Sequence, residues 1–269
     1  MFHVLKANGD KELFSEEKVI TSITRAGIPP SLKDAVLNHV KSKLYDNIQT
    51  SEIYHHITEF LEHSSHPFTK ARYSLKQAIM ALGPTGYPFE DYISEILKHQ
   101  GYETSVRNIL RGECITHEVD IIAEKEKKRI MVEVKFHNFS GSKTNVHVAL
   151  YTKARFDDVK EKNYLDAAWI VTNTKITEDA VVYAFCNNIK VISWSYPDGE
   201  SLRDTIEKAN LSPITAITTL SQSEKQQLLD EHIVLCRDLN DNPDLLHHIV
   251  LSETRRETIL REMAFVCNL

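Results

Sequence analysis

A chain of 269 residues, 42% hydrophobic and 26% charged, is long enough for two small domains or for one domain with extensions. Its formal charge of −6 counts against a protein that coats nucleic acid through bulk electrostatics, so any DNA contact must come from local patches. No apolar run approaches the ~20 residues that cross a bilayer. The opening MFHVLKANGD has no basic-then-apolar signal region, and a cytoplasmic protein is expected.

In chain order, FHVLKANGDKELF carries a turn signal at Asn8-Gly9 between two apolar-bearing runs, which predicts a hairpin. Ser15 is an N-cap for a helix whose apolar face is Val19, Ile20 and Ile23, with Gly27 at its end. Pro29-Pro30-Ser31 restarts the chain into a helix through Leu32, Val36, Leu37, Val40 and Leu44, and two more helical stretches follow. GPTGYP at 83–88 breaks the pattern and marks a domain boundary. FEDYISEILKHQGYE is then amphipathic, HEVDIIAEKEKKRIMVEVKFH reads as a second hairpin, and VHVALYTKARFDDV as a helix. AAWIVTN, TEDAVVYAFCNN and KVISWSY form a strand–helix–strand unit, whose natural product is a parallel pair. The remainder reads as short helices.

Cys114, Cys186, Cys236 and Cys267 are far apart and include no CxxC pair, which argues against a zinc cluster and fits a reducing compartment. His55-His56 and His63/His66 read as surface or capping residues, since adjacent histidines on a helix point apart.

The second hairpin holds charge where core is expected. With a symmetric turn over residues 124–129, facing residues have numbers that sum to 253, and Asp120 lies opposite Glu133, with Lys135 on the same face as Glu133. Opposed like charges destabilise a sheet unless a cation fills the gap. Two convergent carboxylates suit Mg²⁺ or Mn²⁺, and a lysine beside the metal can orient water and steady a phosphate. The same register sets Glu118 opposite Lys135, so a plain cross-strand ion pair stays open at this point. His117 and His137 flank the motif as bystanders. Lys153 and Arg155 either meet a DNA backbone or pair with Asp157 and Asp158.

FEDYISEILKHQGYE, HEVDIIA, the charged turn and VEVKFH together resemble the PD-(D/E)XK restriction endonucleases, in particular the Mrr-like nucleases, over roughly residues 86–200. The resemblance implies a mixed sheet flanked by helices, DNA as substrate, and Glu90, Asp120, Glu133 and Lys135 as catalytic residues. Asp120 and Glu133 would be the metal ligands; Asp91 and Glu95 compete for the role of Glu90. Many Mrr-like proteins have a glutamine where this chain has Glu133. A setting in restriction or anti-phage defence follows by family association.

VLKANGDKELFSEEKVITSITRAG, IQTSEIYHHI and ARYSLKQAI resemble the ATP-cone, over residues 2 to 82. That resemblance implies a helical bundle with a small β cap, binding ATP or dATP as a regulatory ligand through Val4, Lys6, Glu12, Lys18, Thr50 and Arg72. It also implies a homo-oligomer. Ala7 and Tyr54 depart from residues common in such domains. No Walker-type loop occurs, so binding rather than motor-like hydrolysis is expected. The expected class is α/β in three parts: an ATP-cone-like domain at 1–83, a nuclease domain at 86–200 and a helical C-terminal region at 201–269. In the last, Arg255 and Arg256 are possible phosphate contacts. The competing function is an ATP- or dATP-sensing DNA-binding or oligomerising regulator that does not cut.

Overall fold

The computed structural model describes residues 2–64 and 68–267; His66 lies outside the described residues. β1 (His3–Leu5) and β2 (Lys11–Leu13) pair antiparallel, Val4 opposite Glu12, around the expected turn. Gly9 there takes a φ of +88°, which a residue without a Cβ adopts freely. The Ser15 side chain accepts the Lys18 N–H at 3.2 Å and so caps α1 (Glu16–Arg25), which buries Val19 and Ile23. Pro30 opens α2 (Pro30–Ser42), where its missing N–H is no loss. β3 (Ile48–Gln49) joins β1 in parallel to give the order β2-β1-β3, and α3 (Thr50–Glu62), α4 (Thr69–Tyr73) and α5 (Leu75–Met80) complete the segment.

α6 (Tyr87–His99) starts two residues before Phe89, with a proline in its first turn. The sheet that follows contains β4 (Glu103–Arg111), β5 (Thr116–Lys125) and β6 (Lys128–Lys135) as an antiparallel meander. A short ladder pairs β7 (Lys143–Thr144) with β9 (Lys175–Ile176); between them lie α7 (Val146–Asn163) and β8 (Ala167–Thr172). After β9 (Lys175–Ile176), α8 (Glu178–Cys186) leads to β10 (Ile189–Ile192), which pairs in parallel with β8 as the strand–helix–strand pattern requires. The resulting order is β10-β8-β6-β5-β4, a mixed sheet.

Alternation along the strands makes two apolar faces. Ile121, Ala123, Val132 and Val134 pack with Phe89, Ile93 and Ile96 of α6, while Ile122, Met131 and Ile170 pack with Ala149 and Val159 of α7 and Ala184 of α8. The α6 face is shared more widely. Ala78 and Ile79 of α5, Leu228 and Leu239 and Met263 further on all belong to the same buried cluster. Packing is therefore continuous across residues 83 and 201, where composition places divisions.

The C-terminal region consists of α9 (Leu202–Ala209), α10 (Gln222–Asp230), α11 (Cys236–Asp241) and α12 (Glu253–Cys267), with two short 3₁₀ turns. Glu262, fully buried, accepts from the backbone N–H and the hydroxyl of both Thr218 and Thr219 at 2.6–2.8 Å, which fixes α12. Two expectations are corrected here. Arg255 is not free for phosphate: it holds Glu224 at 2.6 and 2.9 Å, and Arg256 donates to the Pro243 carbonyl at 3.2 Å. Cys236 and Cys267, 31 residues apart in sequence, form a disulfide at a Cα separation of 6.5 Å, because α11 and α12 pack together. Spacing alone carries no sign of that pairing.

Candidate active site

The hairpin keeps the expected register, with Ile121 opposite Val132 and Glu124 opposite Arg129. Its turn is tighter than a hexapeptide: pairing runs to Lys125 and Lys128, and Glu126 and Lys127 both take positive φ, 52° and 66°. A two-residue turn with both residues left-handed matches the twist of its strands.

At the other end the ladder stops. No β5–β6 pair follows Ile121 and Val132, so Asp120 and Glu133 are not partners in a regular ladder, nor are Glu118 and Lys135. The cause lies in β5 itself. Val119 buries on the α7 side and Ile121 on the α6 side, although strict alternation would put both on one face. The alternation breaks at Asp120. By register count Arg107 of β4 stands across from it, between the pairs Val106–Ile121 and Asn108–Val119, and has a φ of 54°. A left-handed arginine inside a strand is strained, and such irregularities re-aim side chains. Asp120 Oδ2 now accepts the Val134 N–H at 2.6 Å, in place of the β5 backbone partner that Val134 lacks; on its other edge Val134 pairs with Val171 of β8.

This position sets Asp120 between two other acids. Glu90, at the start of α6, is nine-tenths buried, and its pKa is raised to about 7 by burial and then by the charge of Asp120. Glu133 is also raised to about 7, again by burial first and Asp120 second, with Arg155 and Lys135 acting in the opposite direction. Asp120 itself is raised by burial, offset by the Val134 N–H and the charge of Arg155. Glu90, Asp120, Glu133 and Lys135 are thus electrostatic neighbours. The rivals of Glu90 are otherwise engaged: Asp91 holds Arg107 at 2.8 Å and His232 at 2.9 Å, and Glu95 holds Lys98 at 2.7 Å.

Arg155 of α7 donates to Glu133 Oε2, while Lys153 pairs with Asp157. Of the two outcomes open for Arg155, neither included Glu133, which lies 22 positions away in the sequence. His117 holds Asp158 at 2.8 Å, and an open cleft of about 720 Å³ runs beside these residues between β5 and α7. The donor set suits Mg²⁺ or Mn²⁺ in type, being carboxylate oxygen throughout. Glu90 Oε2 is buried without a hydrogen-bond partner, 3.6 Å from the same Arg107 guanidinium that Asp91 holds, and Asp120 and Glu133 are each hydrogen-bonded through one oxygen. The three acids do not draw their oxygens together as a triad. Among the described residues only His39, His56 and Glu59 bring three ligand atoms within 4.8 Å of one another.

A second cavity, of about 540 Å³, lies where the N-terminal segment meets the rest of the chain. Val4, Glu12, Lys18, Thr50 and Arg72 line it; Lys6 does not, and instead pairs with Glu12 at 2.6 Å. Lys18 pairs with the same carboxylate at 2.8 Å, and these two lysines hold the Glu12 pKa below its ordinary value. Arg72 donates to the Phe265 carbonyl of α12 and lies over its ring at 4.0 Å. Tyr54 stacks on Tyr73 at 5.5 Å and donates to Ser74 at 2.8 Å. Lys76, Trp194, Arg203 and Glu207 also line the cavity, and three of these come from beyond residue 190. Sequence reading missed Trp194, Arg203 and Glu207 because the resemblance that pointed to the cavity ends at residue 82; Lys76 lies within that stretch but was not among the residues it named.

Family models match the three parts in order: an ATP cone domain over residues 2–79, a restriction endonuclease domain of the Mrr catalytic type over 83–204, and an AF1548-like C-terminal domain over 213–267. The class is therefore an ATP cone joined to a restriction-endonuclease-like domain. An uncharacterized protein of Archaeoglobus fulgidus is 37% identical over 171 residues, 63% of this chain and 97% of that protein. A solved structure, that of the protein of unknown function AF1548, has a TM-score of 0.59 at 34% identity, covering 68% of this chain and 98% of the other. The chain belongs to the AF1548-like family. A more remote likeness, to the MspJI restriction endonuclease in complex with a 27-mer oligonucleotide, has a TM-score of 0.36 at 14% identity over 71% of this chain and 39% of that one. No described helix is long and apolar enough to cross a membrane.

Proposed function

We propose that this chain is a nucleotide-regulated DNA endonuclease that uses Mg²⁺ or Mn²⁺ and hydrolyses phosphodiester bonds. The observation that carries the reading is Asp120, displaced from its ladder so that its charge acts on Glu90 and Glu133 together, with Lys135 beside them. Asp120 and Glu133 would hold the ion, which when bound supplies a more acidic water and neutralises charge on the phosphoryl group. Lys135 would orient that water and add positive charge near the phosphate. Glu90, with a pKa of about 7, is able to exchange a proton near neutral pH. Restriction or anti-phage defence is the setting that suits such an enzyme.

The cavity of about 540 Å³ suits an adenine nucleotide in size, with Tyr54 and Tyr73 as an aromatic wall and Lys18, Arg72, Lys76 and Arg203 for phosphate. Lys76 leads from it toward the acids. Its ammonium donates to the Asn173 carbonyl, and the Asn173 side chain bonds both the N–H and the carbonyl of His137 at 2.9 Å. His137 lies two residues beyond Lys135. A phosphate that draws Lys76 away from Asn173 would disturb the end of β6.

Plasmid cleavage with Mg²⁺, with and without ATP or dATP, tests the reading. Cutting that disappears in Lys135→Ala supports it, and cutting unchanged in that variant refutes the site. The Arg155–Glu133 pair favours one rival: a guanidinium that already neutralises Glu133 fits a nucleotide sensor that binds DNA without cutting. That rival expects a nucleotide-dependent gel shift and no cleavage.

A further inference from the structure

Outside both sites, His39 of α2 and His56 and Glu59 of α3 converge on one point. His39 Nε2 lies 3.9 Å and His56 Nδ1 3.7 Å from the same atom, Glu59 Oε2. Both ring nitrogens are closed off from water, and neither has a hydrogen-bond partner. Buried nitrogens of this kind are normally satisfied. The two rings stand edge to face at a centroid distance of 6.3 Å, and Phe60 covers His39 at 5.4 Å. His63, one turn further along, is already engaged with the Glu59 carbonyl at 2.9 Å.

A simple ion pair does not account for the spacing. Charge-assisted N–H···O bonds close to about 2.7–2.9 Å, and both contacts are nearly an ångström longer. A tetrahedral ion with bonds of about 2.0–2.2 Å needs donors roughly 3.3–3.6 Å apart. The two separations from Glu59 Oε2 reach that range after a contraction of a few tenths of an ångström, and the two ring nitrogens lie within 4.8 Å of each other. Two imidazoles and one carboxylate select a borderline ion over Mg²⁺ or Ca²⁺.

We infer that His39, His56 and Glu59 form a mononuclear site for a zinc-class divalent cation, with water in the fourth position. The ion ties α2 to α3. Ile57, adjacent to His56, lines the nucleotide cavity, so the site braces one wall of that cavity. The inference stands whether or not the chain cuts DNA, and it corrects the reading of His56 as a surface residue.

The test is zinc titration of the full, untagged chain by calorimetry, with Co²⁺ absorption as a report on geometry. One equivalent is expected, with a tetrahedral cobalt spectrum. His39→Ala and His56→Ala should each weaken binding at least tenfold, while His55→Ala leaves it unchanged. Glu59→Gln, at the exposed end of the cluster, serves if a histidine variant fails to fold, and should weaken zinc as well. Asp120→Asn combined with Glu133→Gln should retain the zinc. Absence of a stoichiometric ion, affinity indifferent to His39 and His56, or loss of zinc in the Asp120/Glu133 double variant would each overturn the inference.

Discussion

Asp120 accepts the backbone N–H of Val134 at 2.6 Å, across the gap where β5 and β6 have stopped pairing. One side chain thus has two tasks, closing the sheet and supplying a carboxylate, and substitution can separate them. Asp120→Asn keeps an acceptor for Val134, so urea unfolding should move little while Mg²⁺-dependent cleavage disappears. Asp120→Ala should lose cleavage and also about 1–3 kcal/mol of stability, the cost of a buried donor left without a partner. Equal stability of the two variants would show that the hydrogen bond does not matter.

Arg155 supplies the positive charge beside the buried Glu133 carboxylate. Arg155→Met should leave that carboxylate buried and unpaired, lowering the melting temperature at pH 8 by several degrees. Saturating Mg²⁺ should restore most of the loss, since the ion replaces the missing charge. Differential scanning calorimetry with and without Mg²⁺ measures both effects, and equal losses in the two conditions would contradict the site.

Lys76 gives a pH dependence. Burial lowers its pKa from about 10.5 to about 8. The folded state therefore binds fewer protons than the unfolded chain between those values, and stability should rise with pH across that window. A nearby phosphate favours the charged ammonium, so nucleotide binding above pH 8 should take up a proton and weaken with increasing pH. Calorimetry in two buffers of different ionisation enthalpy reports the uptake. Lys76→Met should abolish it.

Glu262 anchors α12 through its contacts with Thr218 and Thr219. Glu262→Gln directs amide hydrogens at donors, and should cost roughly 2–4 kcal/mol in denaturant unfolding. Because α12 also carries Phe265 against Arg72, nucleotide affinity should fall in the same variant.

What the sequence disclosed, and what it did not, divides by range. The Asn8-Gly9 turn, the Ser15 cap, the parallel pair of β8 and β10 and the numerical register of the hairpin all depend on neighbours or on simple alternation. The break at Asp120 depends on a left-handed Arg107 in another strand, which no local pattern announces. Arg155 on Glu133 and His39 beside His56 arise from helix packing. Cys236 and Cys267 met for the same reason. The motif proposes Glu90, Asp120, Glu133 and Lys135 as a set, but says nothing of Arg107 and Arg155 beside the acids.

The buried cluster that runs from α5 through α6 to α12 limits how this protein can be taken apart. A cut at residue 83 would leave Ala78, Ile79 and Leu82 on one fragment and their partners on the other, an oily scar on each. The three segments are consecutive in the gene but are not modules that can be exchanged one at a time. An engineer who wants this ATP cone on another restriction-endonuclease-like domain would have to graft the seam as well.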